Sequence, residues 1–84
     1  MRVLYFAWLR QKIGLAEETI ADPPADLRDV GTLVRFLVAR GGGYALAFAD
    51  AKQVRAAVNQ EFAGPDHPVK PGDEIAFFPP VTGG

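Results

Sequence analysis

One segment governs what this chain can fold into. Between Asp29 and the glycine run Gly41–Gly42–Gly43, residues Val30, Leu33, Val34 and Leu37 fall at helical spacing, which gathers them on one face of an amphipathic helix. Asp29 is a side chain suited to capping the helix start. Arg40 suits the negative end of the dipole, and the glycines stop the helix. Almost everything on either side reads as strand. Residues 2–8, "RVLYFAW", are dense in β-branched and aromatic side chains and form a first strand. Residues 9–14 read as a helical turn or loop ended by Gly14. Residues 15–22 read as an edge strand paired to the first, stopped by Pro23 and Pro24.

Beyond the helix, residues 44–50 add a short helical turn or an irregular packing segment. Val54, Ala56 and Val58 alternate with Arg55 and Ala57, giving a strand that Asn59–Gln60 turns back into a short one at Glu61–Phe62. Pro71–Gly72 suits a type II turn, and residues 73–78 form the last strand. A helix long enough to cross between parallel strands places the first and last strands side by side. The expected architecture is α+β: a ubiquitin-like β-grasp, with a mixed sheet packed on one main helix and an extended C-terminal tail. A length of 84 residues allows one domain, assigned to residues 1–78, with residues 79–84 as a projecting tail.

The two-residue period of strands exposes a surplus. Val3, Tyr5 and Ala7 share one face of the first strand, and Leu4, Phe6 and Trp8 share the other. In the last strand Ile75 and Phe77 oppose Ala76 and Phe78. Both faces are apolar, yet one helix covers one face. Ile75, Phe77, Val54, Ala56 and Val58 belong under the helix. Phe78 and Phe6 then lie on the uncovered side with Phe62 at the rim, and Arg10 and Arg55 border the patch. Pattern alone leaves two readings: a partner site, which is what a contiguous exposed apolar patch usually marks, or a second small core closed by residues 44–50 or by the loop after Leu9.

The last residues, "FFPPVTGG", carry the chemistry. Pro79 and Pro80 cannot donate ladder hydrogen bonds, so the sheet stops at Phe78. Paired prolines favour an extended, low-entropy conformation, and Val81 and Thr82 are stiff at χ1. Gly83 and Gly84 lack a Cβ, so such a tip enters a channel too narrow for side chains. Its one reactive group is the α-carboxylate of Gly84. Coupling to AMP would activate that carboxylate as an acyl donor, and a nucleophile could then displace the AMP. The chain carries no phosphate-binding loop, so the ATP would be used by a partner enzyme. The plain alternative is a frayed, inert end.

Composition excludes several other functions. Nine basic and ten acidic residues give a net charge of −1, without the basic stripe that nucleic-acid binding needs. No apolar run reaches spanning length, the N-terminus is too short for a signal peptide, and cysteine is absent. Disulfides, thiolate metal sites and cysteine nucleophiles are therefore excluded, and the expected location is the cytoplasm, away from membranes. His67 stands between prolines with no ligand or nucleophile near it in sequence. The carboxylate pairs Glu17–Glu18 and Asp73–Glu74 point to opposite faces and read as solvated edges. Gly41–Gly43 follows a helix rather than opening one and lacks the lysine of a phosphate loop, so its expected role is helix termination only. No metal site is expected.

With "FFPPVTGG" preceded by "DEIA" and, upstream, by "AAVNQ" and "DHP", the chain resembles the small subunit of molybdopterin synthase, a ubiquitin-like sulfur carrier. The resemblance runs nearly full length, and the terminal octapeptide is its most specific part. It implies that an adenylyltransferase related to the ubiquitin E1 class activates Gly84 with ATP, and that a sulfur-transfer enzyme converts it to a thiocarboxylate. Pro79, Pro80, Val81, Thr82 and Gly83 would insert the tail into the large synthase subunit. There the sulfur passes to a cyclic pyranopterin monophosphate, two transfers building the dithiolene, in a heterotetramer. Carried over by position, Phe6, Arg10, Phe62 and Phe78 match the family's partner-contacting surface; Trp8 stands where a polar residue is common. The implied protein is no enzyme on its own and binds no cofactor. The rivals are a ubiquitin-like carrier serving thiamine, tRNA thiolation or protein conjugation, and a non-catalytic interaction module with an inert tail.

Overall fold

The computed structural model describes residues 1–80. Strand β1 (Arg2–Tyr5) is followed by helix α1 (Ala7–Ile13), β2 (Glu17–Thr19), α2 (Val30–Val38) and α3 (Gly42–Ala47). A 3-10 turn (Ala51–Gln53) then leads to β3 (Arg55–Val58), β4 (Glu61–Ala63) and β5 (Glu74–Phe78). The strands form one mixed sheet in the order β2-β1-β5-β3-β4. β1 and β5 are the parallel pair at its centre, with Val3 opposite Ile75 and Tyr5 opposite Phe77. The chain is an α+β ubiquitin-like β-grasp, as the order of elements implied.

Local chemistry accounts for the best-defined elements. Asp29 accepts a hydrogen bond from the Thr32 backbone N–H at 2.8 Å, and the Thr32 hydroxyl answers with the Asp29 N–H at 3.0 Å. This reciprocal box satisfies two orphan donors at the start of α2. Between β3 and β4, Asn59 and Gln60 both take positive φ, 50° and 71°, the primed-turn geometry whose twist matches paired strands. The Asp73 N–H reaches the Lys70 carbonyl at 3.1 Å, with Gly72 at φ 92°, a type II turn with glycine where the positive φ falls.

Three expectations require correction. The first strand ends at Tyr5 rather than at residue 8, because Ala7 turns to φ 54° and starts α1. The edge strand is confined to Glu17–Thr19. The glycine run does more than end a helix: α2 is closed by Ala39, and Gly41 caps the start of α3. Gly43 is the point where α3 meets the end of α1, since a Cβ built there would lie 2.0 Å from the Lys12 carbonyl oxygen.

All three helices lie over the same side of the sheet. Leu9 of α1, Leu33 and Leu37 of α2, and Ala47 and Phe48 at the end of α3 join Val3, Tyr5, Ala56, Val58, Ile75 and Phe77 in one buried cluster. The Phe48 ring meets Phe77 edge-on with centroids 5.0 Å apart. Residues 44–50 therefore enlarge the main core, and do not close a second one. Trp8 is half-buried against this cluster, which removes it from the opposite face.

Candidate functional site: the open sheet face and the root of the tail

The uncovered face follows from the registers. Leu4 lies opposite Ala76, Ala76 opposite Ala57, and Ala57 opposite Phe62, so one apolar row crosses four strands. In the next row Phe78 lies opposite Arg55. The Phe62 and Phe78 rings meet with centroids 5.8 Å apart and planes tilted by 53°. Phe62 is 80% exposed, a poor position for a side chain that contributes only to folding. A depression of about 420 Å³ lies beside these rings, over Ala56, Ala63 and Gly64, with Arg55 in its wall.

Phe6, 47% exposed, extends the face beyond β1. Its backbone N–H donates to the Phe77 carbonyl at 3.1 Å, continuing the parallel ladder one residue further while its side chain stays with the even-numbered row. Phe6 is also the N-cap of α1. Arg10 stands four residues on, in α1, and is exposed. The fold thus brings Phe62 and Phe78 into ring contact and ties Phe6 to the neighbouring strand by its backbone, with Arg10 one turn further along.

β5 gives way at Pro79 and Pro80, both half-buried and outside any ladder. The remaining tail positions assigned from sequence, Val81, Thr82, Gly83 and Gly84, lie outside the described residues. Among the described residues there is no group of three His, Asp or Glu side chains able to hold a metal ion, and no helix long and apolar enough to cross a membrane. His67 directs its Nδ1 to the Pro68 carbonyl oxygen at 2.9 Å.

The carboxylate pairs are not simply solvated. Glu17 faces the open side and pairs with Arg2, which also reaches Glu74 at 3.3 Å. Glu18 points the other way. It accepts the Tyr5 hydroxyl at 2.8 Å, the Tyr44 hydroxyl at 2.6 Å and the Arg40 guanidinium. Arg40 also lies 5.1 Å above the rings of both Phe36 and Tyr44. Asp73 is buried and accepts the Asn59 side-chain amide at 3.1 Å and the Lys70 N–H at 3.0 Å. Glu18 with its partners and Asp73 thus hold the covered side and the sheet end together, while Arg2, Glu17 and Glu74 form an ion-paired group on the open side.

Burial alone would raise the Glu18 carboxyl, but hydrogen bonds from Tyr44, Arg40 and Tyr5, together with the Arg40 charge, outweigh it and hold the group below its ordinary 4.5. Burial, and then the Glu18 carboxylate, push the Tyr5 phenol well up. A folded value below the unfolded one stabilises the fold above about pH 4.5, and that contribution is lost as pH falls through the folded value. Glu18→Gln should therefore cost about 1.5–3 kcal/mol at neutral pH, since one amide oxygen cannot replace a carboxylate taking three donors. Thermal melts of the two proteins should converge as pH drops below 4.5. A constant gap down to acid pH would show that Glu18 acts through packing and not through its charge.

A protein-family model described as the ThiS family matches residues 3–84. The molybdopterin synthase sulfur carrier subunit of Escherichia coli is 44% identical, the alignment covering 100% of this chain and 99% of that protein. Among solved structures, a putative molybdopterin converting factor subunit 1 from Pyrococcus furiosus superposes with a TM-score of 0.74 at 31% identity, covering 95% of both chains. The small archaeal modifier protein 1 of Haloferax volcanii gives 0.72 at 29% identity, covering 96% of this chain and 97% of that one.

Proposed function

The chain belongs to the ThiS family, and from that premise we propose that it is the sulfur carrier subunit of a molybdopterin synthase, acting in molybdenum cofactor biosynthesis. The observation that carries the proposal is the end-to-end correspondence with a curated sulfur carrier subunit. An aromatic face that none of the described helices covers, running into the root of the tail, supports it physically. Such a chain does not catalyse on its own; it is the sulfur-bearing half of a two-part sulfurtransferase, and its function is cytoplasmic.

The proposed chemistry lies at Gly84. Its carboxylate oxygen attacks the α-phosphate of ATP on an adenylyltransferase of the ubiquitin-activating kind, and pyrophosphate leaves. A persulfide sulfur on a sulfur-transfer enzyme then attacks the acyl carbon and AMP departs; a thiol cleaves the resulting acyl disulfide, forming a disulfide with the donor sulfur and leaving a thiocarboxylate at Gly84. On the large synthase subunit this sulfur passes to a cyclic pyranopterin monophosphate. The body, residues 1–78, provides docking through Phe6, Arg10, Phe62 and Phe78. The arm, Pro79 to Gly83, delivers the tip, where glycine passes through openings that a Cβ would block.

Likeness to an archaeal modifier protein supports a second reading, in which the activated Gly84 is joined to an amine of another protein. Both readings share the activation step and differ in product. Incubation with the cognate activating enzyme, ATP and a sulfur source, followed by intact-mass measurement, should show one oxygen exchanged for one sulfur at Gly84. Adding one residue beyond Gly84 should abolish that exchange. An unchanged mass with a demonstrably active enzyme would refute the carrier reading, and a covalent protein adduct in place of the exchange would favour the second.

A further inference from the structure

The open face is electrically two-ended, and we propose that its tail-side end docks against an acidic surface of the large synthase subunit, with Arg55 fixing the orientation of the complex. This rests on the sulfur-carrier reading and adds a partner chemistry to it. At the end away from the tail, Arg2 is shared between Glu17 and Glu74, one positive charge against two negative, which leaves an excess negative charge. At the tail end the balance reverses. Arg55 faces Phe78 across the ladder, immediately before Pro79, and is exposed. Arg10, on α1, is exposed as well.

Arg55 is held for this task. Its Nη1 donates to the Lys52 and Val54 carbonyls, each at 3.2 Å, which fixes the guanidinium without neutralising it. Among the described residues no carboxylate lies within ion-pair distance; Arg2 and Arg40 are the arginines that have one. The depression beside it is walled by Phe62 and Phe78. A matching surface therefore sets an apolar side chain in the depression against the two rings and a carboxylate against the guanidinium, whose planar fork suits a carboxylate better than a point charge does. A complex turned end for end would bring that carboxylate towards Glu17 and Glu74, and like charges at close range reject the wrong pose. The tail then leaves the body at the end facing the acceptor enzyme.

The test is binding of the full-length chain to the purified large subunit across a salt series, with folding of each variant checked by thermal melting. Arg55→Glu should weaken binding by about 10-fold or more at low salt and flatten its salt dependence. Arg55→Lys keeps the charge but loses the planar fork, so it should bind more weakly than the parent yet keep its salt dependence, with a smaller loss than Arg55→Glu. Should Arg55→Glu fail to fold, Arg55→Gln decides the matter, since it removes the charge without reversing it, and a loss of about 3-fold or more is expected. Parent-like affinity and salt response in the charge-removing variant overturn the proposal. If Phe78→Asp nevertheless abolishes binding, only the charge argument has failed. If Phe78→Asp also binds like the parent, the docking-face reading beneath it has failed too.

Discussion

Phe78→Asp should weaken docking to the large synthase subunit by roughly 100-fold or more while leaving a folded β-grasp. Phe78 is half-buried, and its ring is in contact with Phe62 and with no core aromatic. The odd-numbered residues of β5, Ile75 and Phe77, carry the core contacts from the other side of the strand. Aspartate at this position therefore creates no cavity in the core. The cost to stability is the loss of one cross-strand aromatic contact and a poor strand former in the centre of the sheet, about 1–2 kcal/mol. Aromatic anchors at an interface centre are worth about 2–4 kcal/mol each, and about 1.4 kcal/mol is tenfold in affinity. A charge placed in the desolvated centre adds its own penalty. Calorimetric titration together with a thermal melt separates the two effects. An unfolded variant would put Phe78 in the core and reverse the assignment of the two faces.

That assignment was legible in the sequence because it needed only a period of two. Val3, Tyr5, Ile75 and Phe77 sit in odd-numbered rows, Leu4, Ala76 and Phe78 in even-numbered rows, and both rows are apolar. The main helix was legible for similar reasons: its cap, its apolar spacing and its terminator are all local. What the sequence concealed depends on tertiary contact. Ala7 takes a left-handed φ that alanine does not favour by itself, so the end of β1 cannot be read from residues 2–8. Helix α3 is short and its residues are apolar or glycine, so no polar face announces a period. The Glu18 cluster draws one residue each from β1, β2 and α3, plus Arg40 just after α2, and no spacing rule joins positions 5, 18, 40 and 44. The reactive end of the chain was legible as chemistry, through two glycines after two prolines, without any contribution from packing.

The triglycine supplies the largest expected loss of stability, because only one of its members is constrained by contact. Gly41 and Gly42 have positive φ, 74° and 53°, and open space where a Cβ would stand. Alanine at Gly41 should therefore cost about 1–2 kcal/mol, the left-handed penalty alone. At Gly43 the Cβ would lie 2.0 Å from the Lys12 carbonyl oxygen and 3.1 Å from the Ile13 Cα. Both obstacles are backbone, so no rotamer change can make room; α3 has to move away from α1. Two sets of contacts are at risk if it does. Phe48, at the C-cap of α3, packs edge-on against Phe77, and Tyr44 donates to Glu18. Overpacking usually costs about 1–3 kcal/mol, and coupling to these contacts places Gly43→Ala at the upper end. For a domain of this size about 3 kcal/mol lowers Tm by roughly 12–24 °C, about 1.5 to 3 times the effect at Gly41. Equal losses at the two positions would mean that glycine is required here for backbone conformation alone and that the α1–α3 contact is soft. A large loss confined to Gly43 would make that contact the tightest constraint on the covered side of the sheet, while the open face that meets the partner stays outside its reach.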